Sequence, residues 1–145
     1  MHKITPFLWF DNQAEEAMNF YVSLFPNSKV ISTQKQGDMV FGIEFELDGQ
    51  VIKGMNAGPQ FKFNEAISFY VNVEGQEEVD KYWNALLENG GEESMCSWIK
   101  DKFGLWWQIV PKELMDGLGD SNPEAAKRVM DAMLKKKKII VADIE

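Results

Sequence analysis

Asp101-Lys-Phe-Gly-Leu-Trp-Trp-Gln-Ile-Val-Pro111 joins a glycine turn to an aromatic strand that carries one polar amide, Gln108. Side chains alternate across a strand, so Trp106 and Gln108 fall on one face and Trp107 and Ile109 on the other. Upstream, a hairpin runs through Trp98. Before it, Gln76 to Glu88 reads as a helix with Val79, Tyr82, Trp83, Leu86 and Leu87 inward, capped by Asn89-Gly-Gly91. Ala66 to Val73 reads as the strand that feeds this helix.

The first half follows the same order. Ile4 to Phe10 is apolar and aromatic and predicts a buried strand, and Asn12-Gln-Ala-Glu15 has the spacing of a capping box. Ala14, Ala17, Met18, Tyr21, Leu24 and Phe25 then recur at intervals of three and four until Pro26 ends the helix. Val30 to Gln34 is a weaker strand. Phe41, Ile43, Phe45 and Leu47 alternate with Gly42, Glu44 and Glu46, and Asp48-Gly49 supplies a two-residue hairpin signal into Val51 to Met55. Sliding the chain on itself by 62 residues pairs Phe7 with Phe69, Trp9 with Val71, Glu16 with Glu78, Phe20 with Tyr82, Tyr21 with Trp83 and Leu24 with Leu86. We read this as an internal duplication.

Pro111 opens a C-terminal appendage. Leu114, Met115 and Leu118 predict a short helix, and Asn122-Pro123-Glu124 supplies an N-cap, a first-turn proline and a first-turn acid for another that runs to about Lys135. Ala126, Val129, Met130, Met133 and Leu134 form one stripe on it, able to seal the domain or to grip a second subunit. Lys135 to Lys138 reads as a solvated helix end that complements the macrodipole.

Composition narrows the chemistry. With 145 residues the chain is long enough to bury a core without disulfides. No apolar run approaches the ~18 residues of a membrane span, and Met-His-Lys-Ile-Thr-Pro at the start has no signal-peptide core, so a cytoplasmic location is expected. One cysteine, Cys96, and one histidine, His2, leave only carboxylates and amides as metal ligands. A formal charge of −8 would repel phosphate backbones and anionic lipid, so neither nucleic acid nor a membrane is expected as partner. A neutral or cationic small molecule fits better.

Ile4-Thr-Pro-Phe-Leu-Trp-Phe10, Ala14-Glu-Glu-Ala17, Asn19-Phe-Tyr21, Leu24-Phe-Pro26, Phe45-Glu-Leu47, Asn56, Gly58-Pro59, the stretch from Cys96 to Pro111 and the tail from Met133 to Glu145 carry a resemblance. They resemble the vicinal oxygen chelate (glyoxalase, bleomycin resistance and dioxygenase) superfamily, and more closely its PhnB-like branch, also labelled demethylubiquinone methyltransferase-like. The resemblance implies an α+β fold in which paired βαβββ modules curl mixed sheets around a cup, followed by C-terminal helices. It implies one domain over residues 1–145, with module one at about 3–59, module two at about 65–111 and the appendage at 112–145. A homodimer is also implied, since a single pair of modules often completes its cups with a second copy.

In metal-dependent members, the ligands stand on the first and last strands of each module. Matched strand to strand, those positions hold Pro6, the region of Met55 and Asn56, Ala66 and Gln108 in this chain. Proline and alanine have no donor to offer and an amide oxygen is a poor ligand for a transition metal, so no metal and no other cofactor is expected. Glu65 is next to Ala66, but on a strand it would face the opposite way.

If the matched positions face the cup, alternation adds Leu8 and Phe10 to Pro6, Ser68 and Tyr70 to Ala66, and Trp106 to Gln108. With Asn56 these make the expected ligand-binding set, an apolar and aromatic pocket with few polar anchors. Phe7, Trp9, Phe69, Val71, Trp107 and Ile109 would then face the helices as core. Relatives usually carry a small residue where Trp106 stands; an indole there narrows the cup or stacks on a planar ligand. The catalytic residues stay open, because no nucleophile, base and orienter arrangement is present, and neither Asp11 nor Glu44 has a feature that marks it as a base.

The function this predicts is a PhnB-like, glyoxalase-fold protein that binds a small aromatic or hydrophobic molecule in a metal-free cup. One alternative is a divalent-metal-dependent lyase, dioxygenase or thiol transferase of the glyoxalase type, against which the missing ligands count. The other is a non-catalytic regulatory or interaction module. Methyl transfer has less support still, since no Gly-rich turn follows the first strand to hold a methyl-donor cofactor.

Overall fold

The computed structural model describes residues 2–144 and is α+β, with two separate four-stranded mixed sheets and four α-helices. The chain divides into two compact units, one up to Phe63 and one from Asn64.

Unit 1 runs β1 (Phe7–Phe10), α1 (Ala14–Leu24), β2 (Lys29–Gln36), β3 (Met39–Leu47) and β4 (Gln50–Asn56). Its sheet has the order β1-β4-β3-β2, with β1 parallel to β4 and the other pairs antiparallel. Asp48 and Gly49, both at positive φ (48° and 87°), make the tight β3–β4 turn that the sequence predicts. Ile43, Phe45 and Ile52 lie under α1, where Tyr21 meets Phe45 with ring centroids 6.3 Å apart.

The capping box does not form. Gln13 is the N-cap residue and gives no side-chain hydrogen bond; the N–H of Ala14, first in α1, goes instead to Asn56 Oδ1 at 2.8 Å. An amide on the last strand thus satisfies a helix donor that a local cap would otherwise have taken.

Unit 2 repeats the order: β5 (Phe69–Val73), α2 (Gly75–Leu87), β6 (Glu92–Glu93), β7 (Trp98–Lys100) and β8 (Trp106–Pro111), in the sheet order β5-β8-β7-β6. Phe69, Val71, Trp107 and Ile109 face α2 as expected, and the Phe69 and Trp107 rings meet edge to face at 5.1 Å. Asp101, buried to 1% exposure, shapes the β7–β8 turn: Oδ1 accepts from Phe103 N and Leu105 N, and Oδ2 accepts from Trp107 Nε1 at 2.9 Å. Strand β5 begins later than the sequence suggests. Ala66 lies in a turn, its N–H donated to Asn64 Oδ1 at 2.9 Å, so the alternation applied to Glu65 and Ala66 has no strand to act on.

The appendage belongs to unit 2. Helix α3 (Lys112–Leu118) is followed by α4 (Pro123–Leu134), whose N-terminus is capped by Asn122 Oδ1 accepting from Glu124 N at 2.9 Å. Val129 joins Val110, Leu114, Ile139 and Ile144 in a buried cluster, with Met133 packed against it. The stripe therefore turns mostly inward, leaving Met130 and Leu134 exposed on α4.

The lysine run is more than a solvated end. Beyond α4 the chain crosses back as a strap: Cys96 N donates to Lys136 O and Ser97 N to Lys137 O, both at 2.9 Å. Gln76 Oε1 accepts from Val141 N at 2.8 Å, Lys138 pairs with Asp80, and Ile139 is buried beneath. Lys138 and Gln76 hold the Asp80 carboxyl below the usual carboxylate range. The strap grips a strained spot, since Cys96 and Ser97 are consecutive non-glycine residues at positive φ (57° and 74°), a conformation that costs about 1–3 kcal/mol per residue.

Candidate functional site

Strand register decides which side chains share a face, and the two units give different answers. In unit 1, Leu8 pairs with Gly54 and Phe10 with Asn56, which places both on the α1 side of the sheet with Ile43 and Ile52. They are buried there, at 6% and 3% exposure. This corrects the expectation that Leu8 and Phe10 line an open face; Phe7 and Trp9 take that face, beside Lys53 and Met55. Trp9 Nε1 donates to Gly58 O at 2.9 Å, and Phe61 packs edge-on against its ring at 4.9 Å.

The physical reason is a shift of one residue in the duplication. A slide of 62 keeps the two helices in step, for Tyr21 and Trp83 are both buried, but it pairs outward Phe7 and Trp9 with inward Phe69 and Val71. An odd slip turns over every side chain of a strand. Three residues separate β1 from α1 while one separates β5 from α2, so the connections absorb the difference.

Asn56 is also committed to the protein. Besides Oδ1 to Ala14, its Nδ2 donates to Val40 O at 3.0 Å, so both ends of the amide hold unit 1 together.

In unit 2, four of the expected or neighbouring residues converge. Gln108 on β8 is the register partner of Tyr70 on β5 and of Trp98 on β7, so one carboxamide lies between two aromatic side chains on the face away from α2. Trp106, two residues back on β8, completes the group, its ring 6.4 Å from that of Trp98. Gln108 Nε2 donates to Ser68 Oγ at 2.9 Å, which fixes the amide plane. Tyr70 is 45% exposed, and the burial it does have pushes its phenol above the ordinary range.

Lys100 lies over Trp106, 5.9 Å from the ring centroid, and its charge is met by Glu92 at 3.0 Å. A separate groove of about 400 Å³ lies where β5 and β8 end, lined by Asn72, Val73, Glu74, Glu78, Val110, Lys112 and Met115 and by none of this group. Trp98 is the member that sequence reasoning missed as a site residue. Its signal was the hairpin register, which the Asp101 to Leu105 turn sets and which spacing alone does not count.

The metal positions of the superfamily do not fit a cation here. Pro6 and the turn residue Ala66 carry no side-chain donor atom, Asn56 is occupied by protein on both ends, and Gln108 offers a neutral amide. Among the described residues no group of three or more His, Cys, Asp or Glu side chains could hold a metal. No helix among them is long and apolar enough to cross a membrane.

Paired βαβββ units with an open sheet face define the class, the glyoxalase fold of the vicinal oxygen chelate superfamily. The family described as 3-demethylubiquinone-9 3-methyltransferase matches residues 2–110, and the chain belongs to this PhnB-like family. A PhnB protein from Bacillus cereus is similar at 34% identity over 76% of this chain and 99% of its own, with a TM-score of 0.70. More distant structures share the fold alone. One is a Pseudomonas aeruginosa protein at 19% identity, covering 75% of this chain and 96% of its own with a TM-score of 0.62. Another is the Listeria monocytogenes fosfomycin resistance protein FosX at 16%, covering 82% and 98% with a TM-score of 0.61. Among curated proteins none matches.

Proposed function

We propose that the protein binds a small, flat, largely apolar molecule on the open face of the unit 2 sheet, without a metal. The observation that carries this reading is Gln108 set between Tyr70 and Trp98, with Trp106 alongside: one oriented polar group among three aromatic rings. Aromatic faces bind planar apolar surface, and a single fixed amide orients it.

Methyl transfer, the activity in the family's description, has no support from these residues. The β1–α1 connection, Asp11-Asn12-Gln13, has no glycine with which to cradle a methyl-donor cofactor. Glyoxalase-type metal chemistry lacks its ligand set, as above. The test uses the neutral fluorescent probe N-phenyl-1-naphthylamine. It is expected to brighten on the native protein and to lose at least about fivefold in affinity with Trp106→Ala; equal binding by that folded variant would refute the site.

The proposal extends to a homodimer formed through the exposed Met130 and Leu134 of α4. Sedimentation is expected to give twice 16.6 kDa for the native chain and 16.6 kDa for Met130→Lys with Leu134→Lys. An unchanged mass in the double variant would exclude this surface.

A further inference from the structure

The hydrogen-bonding capacity left over at Gln108 specifies a ligand class. A glutamine amide has two N–H donors and one carbonyl acceptor. One donor of Gln108 is taken by Ser68 Oγ at 2.9 Å. The second N–H and Oε1 remain, on one rigid plane, and the Ser68 hydroxyl, having accepted, keeps its own hydrogen to give. The face therefore presents an acceptor with donors next to it, ringed by Trp98, Tyr70 and Trp106.

The matching partner presents a donor next to an acceptor in the plane of an aromatic ring. A cyclic amide does so, its N–H and C=O lying side by side because the ring holds the amide cis. Charge points the same way. Lys100, which lies over Trp106, is already paired with Glu92 at 3.0 Å, and the chain's net −8 disfavours an anion.

Resting on the binding face proposed above, we infer that its ligand is a neutral, planar heteroaromatic lactam, held with N–H on Gln108 Oε1 and C=O on the remaining amide hydrogen or the Ser68 hydroxyl, its ring against Trp106 and Trp98. Two such bonds among apolar surfaces discriminate more than in water, because a ligand that cannot complete them strands Gln108 unpaired beneath it. The face can be probed with 2-quinolone, whose lactam edge is intact, with N-methyl-2-quinolone, whose donor is blocked, and with naphthalene, which keeps only the apolar plane.

The experiment is titration of the ¹⁵N-labelled full chain with each probe, following the Trp98 and Trp106 indole and Gln108 amide resonances. The expected result is that 2-quinolone binds about tenfold more tightly than its N-methyl derivative and shifts the Gln108 amide. Gln108→Leu should abolish the preference and keep naphthalene binding. Gln108→Glu, which keeps the shape and an acceptor for the ligand N–H but loses the amide donor, serves as the second variant and should weaken both quinolones while keeping the preference for the unmethylated one. Equal affinity for the two quinolones, a preference that survives in Gln108→Leu, or one that is lost in Gln108→Glu, would overturn the lactam assignment. If naphthalene alone perturbs the indoles, the binding face stands and the ligand class falls; if no probe perturbs them, both fall.

Discussion

Trp106 and Trp107 are adjacent in sequence and opposite in environment, so truncating each to alanine separates a binding role from a packing role. Trp107 is 2% exposed, meets Phe69 edge to face, and donates its indole N–H to a carboxylate that is itself 1% exposed. Removing a packed tryptophan costs about 3–5 kcal/mol, and Asp101 loses one of its partners, for which about 1 kcal/mol more is reasonable. Trp106 has solvent on one side, an edge contact with Trp98 and a lysine over its ring. Its loss should cost under about 1.5 kcal/mol, the scale of an aromatic pair with a cation contact. With a urea m-value of about 2 kcal/mol per M, Trp107→Ala should lower the unfolding midpoint by about 2–3 M and Trp106→Ala by less than about 0.8 M. Equal shifts for the two variants would show that the Trp106 face is closed core, and the proposed binding face would go with it.

Asn56→Leu should cost about 1–2 kcal/mol by urea unfolding, since it strips the first N–H of α1 and the Val40 carbonyl of their partner; a neutral result would mean that Gln13 caps the helix in solution. A glycine in a helix ordinarily gains from replacement by alanine, but at Gly117 a Cβ would meet Val129 Cγ2 at 2.7 Å, so Gly117→Ala should lower stability, and a gain would show that α3 and α4 are less tightly apposed. Tyr70 should titrate above its ordinary pKa of 10.0. Because folding raises that pKa, its share of stability is complete below the unfolded value and is lost as pH rises through the folded one. Comparison of alkaline unfolding in the native chain and Tyr70→Phe checks this, and an identical pH dependence would count against it.

Unit 2 was more legible in sequence than unit 1, and the difference lies in punctuation. Gly104, at a φ of 91°, and Asp101 fix where β8 starts, so alternation from Trp106 assigns both faces correctly. Phe7-Leu-Trp-Phe10 is apolar throughout, and a period of two cannot be seen where every position is hydrophobic. Its register is set by pairing with β4 over a span of 46 residues, as from Phe7 to Lys53, and no local residue declares it. Asn56 was misjudged for a similar reason. An amide at a strand end looks the same in sequence whether it faces a ligand or caps a helix that comes 42 residues earlier. The aromatic group around Gln108 was visible in Tyr70 and Trp106, while the place of Trp98 needed the exact pairing of a three-residue strand.

The strap gives the order of synthesis a structural meaning. Residues 136–141 leave the ribosome after both sheets have been made, yet they supply the carbonyls that hold Cys96 and Ser97 in their left-handed turn, directly before Trp98. A nascent chain that already contains β8 therefore has its aromatic strands but lacks the clamp that sets where β7 begins. The turn directly before Trp98 is therefore clamped last, and a protease that clips the chain after Leu134 would cut the strap from α4 without touching a residue of the face itself.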